Sequence, residues 1–159
     1  MVEKLYFLRH GVAFERDVWH GENDELRPLT KEGIAAMRDE AKYLRKLKLK
    51  IDLLVTSPLV RAYDTAKPVA KALDIDFAVN DLLKPGCDIE ALDALLAQYP
   101  QAQRVMVVGH QPDFSLIIAT LTGGNVLMEK GGFARIDLAD SNQLHGQLIW
   151  LLSPKLMGA

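Results

Sequence analysis

Two short runs constrain this chain more than anything else in it. Leu5-Tyr6-Phe7-Leu8 and Val105-Met106-Val107-Val108 are apolar at every position, and each stops abruptly at a histidine next to glycine, Arg9-His10-Gly11 after the first and Gly109-His110 after the second. An apolar run without polar alternation reads as a strand covered on both faces, and such strands belong to parallel sheets with helices packed above and below. The rest of the chain supplies those helices. Ile34, Met37, Ala41, Leu44 and Leu47 recur at three- and four-residue spacing, with Thr30 placed to cap the helix and the intervening Lys, Arg and Glu expected to face water. A second strand is expected over Ile51 to Val55, followed by a helix capped by Ser57, opened by Pro58 and running to about Leu73. A short strand at Phe77 to Val79, a helix near Ile89 to Ala97 and a helix from Pro112 to Thr122 complete the alternation. Phe133 to Leu138 and Gln147 to Leu152, joined by the turn-rich Ala139-Asp140-Ser141-Asn142, read as an antiparallel pair near one sheet edge. The expected architecture is a three-layer α/β sandwich around a mostly parallel central sheet, formed as one domain over residues 1–159.

Composition narrows the possible partners. The chain is 49% hydrophobic and 25% charged, which excludes disorder, and its net charge of −2 gives no general attraction to nucleic acid or an anionic membrane. No apolar run approaches the roughly 18 residues needed to span a bilayer, and the opening MVEKLYFLRHG lacks a signal-peptide cleavage site. The lone Cys87 has no cysteine to pair with and no basic neighbour to activate it, so a cytoplasmic protein is expected.

In an open α/β sheet, ligands bind beyond the carboxyl ends of the strands. Here those positions carry Arg9 and His10, then Arg61 within one helical turn of the second strand, then His110. Two arginines and two histidines converging beside helix N-termini make a pocket for a dianion such as phosphate, where the arginine forks match phosphate oxygens and a histidine can act as nucleophile or acid. His145 is read as solvated, and His20 as a loop residue that could reach the pocket rim. No metal-ligand spacing, Gly-rich nucleotide loop or G-x-S-x-G elbow is present, so no metal or cofactor is expected.

These blocks resemble the histidine phosphatase superfamily, the phosphoglycerate mutase-like family. Leu8-Arg9-His10-Gly11 resembles its R-H-G signature, and Arg27-Pro28-Leu29-Thr30 with Gly33 its R-P-L-T-x-x-G block. Ser57-Pro58-Leu59-Val60-Arg61-Ala62 with Thr65-Ala66 resembles S-P-x-x-R-A-x-x-T-A, and Val107-Val108-Gly109-His110 the block of the second histidine. The four lie in the family's order across about residues 4–122. The resemblance implies that His10 is the transiently phosphorylated histidine, that Arg9 and Arg61 bind phosphate, that His110 is the second pocket histidine, and that Arg27 lies near the pocket. It leaves the general acid unassigned. Asp113 lies close to His110, but Gln111 stands where the acid-phosphatase branch has an aspartate, and Asp88 and Glu90 occupy the segment where other branches place an acidic residue.

A neutral His10 nucleophile, its tautomer fixed by a backbone carbonyl, with Arg9, Arg61 and a protonated His110 meeting the phosphoryl charge, is the expected chemistry. The loop after the first strand is short, so the pocket is expected to be unroofed, with Trp19, His20 and Arg27 at its rim. An unroofed site suits a phosphorylated side chain on another protein, and imidazole, with a pKa near 6.5, leaves with less acid help than an alkoxide. Both points favour the small phosphohistidine phosphatase branch, with a histidine phosphotransfer domain as a fitting partner in signal transduction. A small-molecule phosphomonoesterase is the alternative, and a phosphate-binding scaffold without turnover is a third, disfavoured by the intact His10.

Overall fold

A computed structural model describes residues 1–139 and 145–158. The elements follow the expected order: β1 (Lys4–Arg9), α1 (Lys31–Lys46), β2 (Leu53–Thr56), α2 (Val60–Leu73), β3 (Phe77–Val79), α3 (Ile89–Ala97), β4 (Arg104–Gly109), α4 (Asp113–Thr122), β5 (Phe133–Leu138) and β6 (Gly146–Leu152). The six strands form one sheet in the order β3-β2-β4-β1-β5-β6. β3, β2, β4 and β1 run parallel, while β5 pairs antiparallel with β1 and β6 with β5. The turn expected at Asp140-Ser141-Asn142 lies outside the described residues.

The apolar runs divide between the two faces with the period of two that a strand imposes. Leu5, Phe7, Val105 and Val107 face one way and pack with Leu92 and Leu95 of α3 and Phe114, Ile117 and Ile118 of α4. Tyr6, Leu8, Met106 and Val108 face the other way, against Met37, Ala41 and Leu44 of α1 and Ala62, Ala66 and Val69 of α2. Neither face of these strands meets water, which is why they show no polar alternation. Phe7 and Phe114 lock the α4 side with rings edge-to-face at 5.1 Å.

Local chemistry sets the helix starts. Thr30 caps α1 as expected, its hydroxyl accepting from the Gly33 amide at 3.0 Å. Gly33 is needed for close approach, because a Cβ there would lie 2.0 Å from the Val12 carbonyl oxygen. The start of α2 differs from the sequence expectation. It begins at Val60 with Leu59 as the cap residue, not at Pro58 behind a Ser57 cap. Ser57 still pairs with β4, its amide donating to the Val108 carbonyl at 3.0 Å, so the backbone remains extended for longer. A second correction concerns Glu40. It is fully buried in α1 instead of facing water, its carboxyl has no hydrogen-bond partner among the described residues, and burial pushes its pKa up to about 9.

Candidate active site

The strand register brings the site together. Arg9 at the end of β1 pairs with Gly109 at the end of β4, and Thr56 at the end of β2 with Val108. The next residues, His10, His110 and Ser57, therefore emerge side by side at one sheet edge, and the rings of His10 and His110 stand 5.4 Å apart. Gly109 has no room for a side chain, since a Cβ would lie 2.6 Å from the Phe114 ring. Arg61, on the first turn of α2, and Arg27 complete a pocket of about 390 Å³ whose walls include Arg9, His10, Arg27, Arg61 and His110. The five residues singled out in the sequence thus share one cavity. Asp88 and Glu90 do not line it.

Each histidine is fixed by a neighbour. The Nδ1 of His10 lies 2.8 Å from the Gly11 carbonyl, so Nδ1 carries the proton that it donates and Nε2 keeps its lone pair. Gly11 is held in turn, its amide donating to the Thr65 hydroxyl at 3.0 Å, and that hydroxyl donates to the Arg61 carbonyl at 2.7 Å. His110 is held through Nε2, 2.7 Å from the Ser57 hydroxyl. Burial, above all, lowers the pKa of His10 to about 3, and the Arg61, Arg9 and Arg27 charges push the same way against the Gly11 bond. Burial also takes His110 to about 3, with His10 and Arg61 contributing. The protonated His110 expected from the sequence was expected against phosphoryl charge, and burial by itself opposes it. Both rings are neutral near pH 7.

The arginines are anchored by a residue that sequence reasoning passed over. Asp24, in the 3-10 turn Asp24–Leu26, receives Arg27 Nε at 2.8 Å and Arg61 Nη2 at 3.2 Å, and its carbonyl accepts from Arg61 Nη1 at 2.9 Å. Arg9 is tied by Nη1 to the Met128 carbonyl at 2.7 Å. Yet Arg9 Nε, Arg61 Nε and His110 Nδ1 are buried without a hydrogen-bond partner among the described residues. Buried polar atoms normally find partners, so three unmet ones on the arginines and second histidine of one cavity fit a polyatomic anion.

The rim also differs from expectation. Arg27 lines the pocket, but Trp19 and His20 do not. Trp19 lies over Gly21, where a Cβ would come within 2.1 Å of its ring. The rim is instead formed by Glu15, Arg16, Asp17 and Lys130, with Lys130 bound to Glu15 at 2.9 Å. These loop residues meet only in the folded chain. Asp88 caps α3 by accepting from the Ala91 amide at 2.9 Å, and Glu90 is exposed. Asp113 is likewise engaged elsewhere, accepting from the Gly86 amide at 2.8 Å. Among the described residues, no group of three or more His, Cys, Asp or Glu is placed to hold a metal ion, and no helix is long and apolar enough to cross a membrane.

The family model for branch 1 of the histidine phosphatase superfamily matches residues 5–84, half of the chain. The chain belongs to the histidine phosphatase superfamily. It is a phosphatase of that family, and its relatives include small members of similar length. An uncharacterized protein of Picosynechococcus is 34% identical, over 96% of this chain and 97% of that one. The phosphohistidine phosphatase SixA of Escherichia coli is 27% identical, over 95% and 94%. A solved structure of the protein histidine phosphatase SixA complexed with tungstate superposes with a TM-score of 0.83 at 27% identity, covering 96% of this chain and 97% of that one.

Proposed function

We propose that this phosphatase hydrolyses phosphohistidine on protein substrates by way of a phosphoryl group held transiently on His10. The observation that carries the reading is the His10 hydrogen bond to the Gly11 carbonyl, which leaves a neutral ring with Nε2 free in a pocket lined by Arg9, Arg27 and Arg61. Nε2 attacks phosphorus as the bond to the substrate nitrogen breaks. A phosphorylated imidazole protonated on its other nitrogen departs as neutral imidazole, so no carboxylic acid is needed at the leaving group. Arg9 and Arg61 offset the charge on the phosphoryl oxygens. Water then attacks phosphorus, the bond to Nε2 breaks, and phosphate leaves.

The likeness to SixA along almost the whole chain supports the substrate class, and the tungstate in the SixA complex is an oxyanion of the kind the unmet donors here call for. A phosphotransfer domain, which carries its histidine on a helix, is the partner class that fits, with the cytoplasm as the place of action. The specific observation favouring a small-molecule phosphomonoesterase instead is Asp17, an acidic side chain on the pocket wall that could protonate an alkoxide.

Turnover measured side by side on a phosphohistidine protein, free phosphohistidine, sugar phosphates and an aryl phosphate separates these readings. The expected result is the highest kcat/KM on the protein, little change in Asp17→Asn, and label from the substrate trapped on His10. Preference for a sugar phosphate together with loss of that activity in Asp17→Asn would transfer the assignment to the alternative.

A further inference from the structure

We infer that Ser57 is a positioning residue that sets the tautomer of His110, presenting an Nδ1–H donor to the transferred phosphoryl group. The inference rests on the proposed phosphoryl transfer in that pocket, whose wall includes His110. Ser57 is fully buried, and among the described residues its hydroxyl has two hydrogen-bond neighbours: the Leu59 amide, which donates to Oγ at 3.3 Å, and His110 Nε2 at 2.7 Å. A hydroxyl offers one proton and two lone pairs. The Leu59 amide occupies a lone pair, and the proton is left for Nε2.

The two neutral forms of His110 differ sharply in what they leave unsatisfied. If Nε2 accepts from Ser57, the hydroxyl is used both as donor and as acceptor, and the ring proton sits on Nδ1. If Nε2 instead carries the proton and donates to Ser57, the serine proton has no acceptor among its neighbours, and Nδ1 holds a bare lone pair. Nδ1 is the ring atom with no hydrogen-bond partner among the described residues. A lone pair there would repel a phosphoryl oxygen, whereas an N–H there binds it, so the first form both satisfies the serine and suits the anion. The neutral charge of the buried ring makes the choice of tautomer decisive, because an imidazolium would donate from both nitrogens whatever Ser57 did.

The placement also accounts for why the serine is not used to cap α2. Its backbone stays paired with β4, which puts Oγ level with the residue that follows β4.

The test reads the ring directly and needs no substrate. Long-range proton–nitrogen correlation spectra of 15N-histidine-labelled protein are expected to show His110 with a protonated Nδ1 and an unprotonated Nε2 in the parent. In Ser57→Ala the ring should shift toward the other tautomer or a mixture, with melting temperature close to the parent. In that variant kcat should fall about tenfold or more, short of the roughly hundredfold cost of losing a whole preorganised donor, while KM changes less. Ser57→Thr keeps the hydroxyl and should restore the parent tautomer and most of kcat. A parent spectrum with the proton on Nε2 overturns the inference, as does a Ser57→Ala ring that keeps Nδ1–H together with full kcat. Failure of the proposed function looks different: the tautomer responds to Ser57, but His110→Ala leaves phosphohistidine turnover untouched.

Discussion

His10 combines opposite demands in one side chain: it must lie in a cluster of positive charge and still keep a lone pair. Burial solves this by holding the ring neutral down to about pH 3, with the arginine charges acting in the same direction. His10→Ala is therefore expected to abolish turnover while circular dichroism and melting temperature stay close to the parent, since the ring lines the pocket at the end of β1. Arg61→Ala should lower kcat/KM by roughly a hundredfold or more, the scale for one preorganised charge contact. NMR titration of the His10 ring should find no protonation between pH 7 and pH 5. An inflection near pH 6.5 would show that the site is more solvated than its burial implies.

Among the elements, α3 shows how an acidic residue can look catalytic and be structural. Asp88 sits where an acid was sought, yet its carboxylate accepts from the Ala91 amide and starts the helix. Asp88→Ala is expected to cost about 1 kcal/mol of stability, as a lost cap does, and Asp88→Asn much less. Neither change should move phosphohistidine turnover. Loss of activity in Asp88→Asn with stability intact would reinstate it as the acid. The β1–α1 connection makes the complementary point: Arg27, Leu29 and Thr30 form a compact block because each has a separate task. Arg27 reaches the pocket, Leu29 is buried and bridges to Ala13, and Thr30 caps α1.

For the molecule as a whole, stability should depend on pH from both sides. His10 and His110 fall from an ordinary 6.5 to about 3 on folding, so between those values the unfolded chain binds more protons and stability drops as pH falls. Glu40 has the opposite sign. Its pKa rises from 4.5 to about 9, so its contribution is full below about pH 4.5 and is lost as pH rises toward 9. Glu40→Gln keeps the shape and removes the titration. Its melting temperature should match the parent near pH 5 and exceed it at pH 8 to 9. Equal melting temperatures at both ends would mean that the carboxylate is accommodated when ionised.

The sequence alone determined the layered α/β sheet, the helix cap at Thr30, and the group formed by Arg9, His10, Arg61 and His110. All of these depend on residue type and local spacing: two-sided burial erases alternation in β1 and β4, and parallel strands place their ends on one edge whatever their distance along the chain. Tertiary structure decided what depends on which loop meets which. Asp24 is three residues from Arg27 but 37 from Arg61, and Lys130 reaches Glu15 across 115 positions. Ser57 read as a helix cap because its local pattern suits one, and only the adjacent end of β4 brings His110 close enough to claim its hydroxyl. Glu40 read as solvent-facing because charge on a helix usually is, and its burial depends on a segment some ninety residues later, where Gly131 passes so close to its carboxyl that a Cβ would lie 3.0 Å away. Hydrogen bonds and desolvation act through space, and spacing along the chain does not record them.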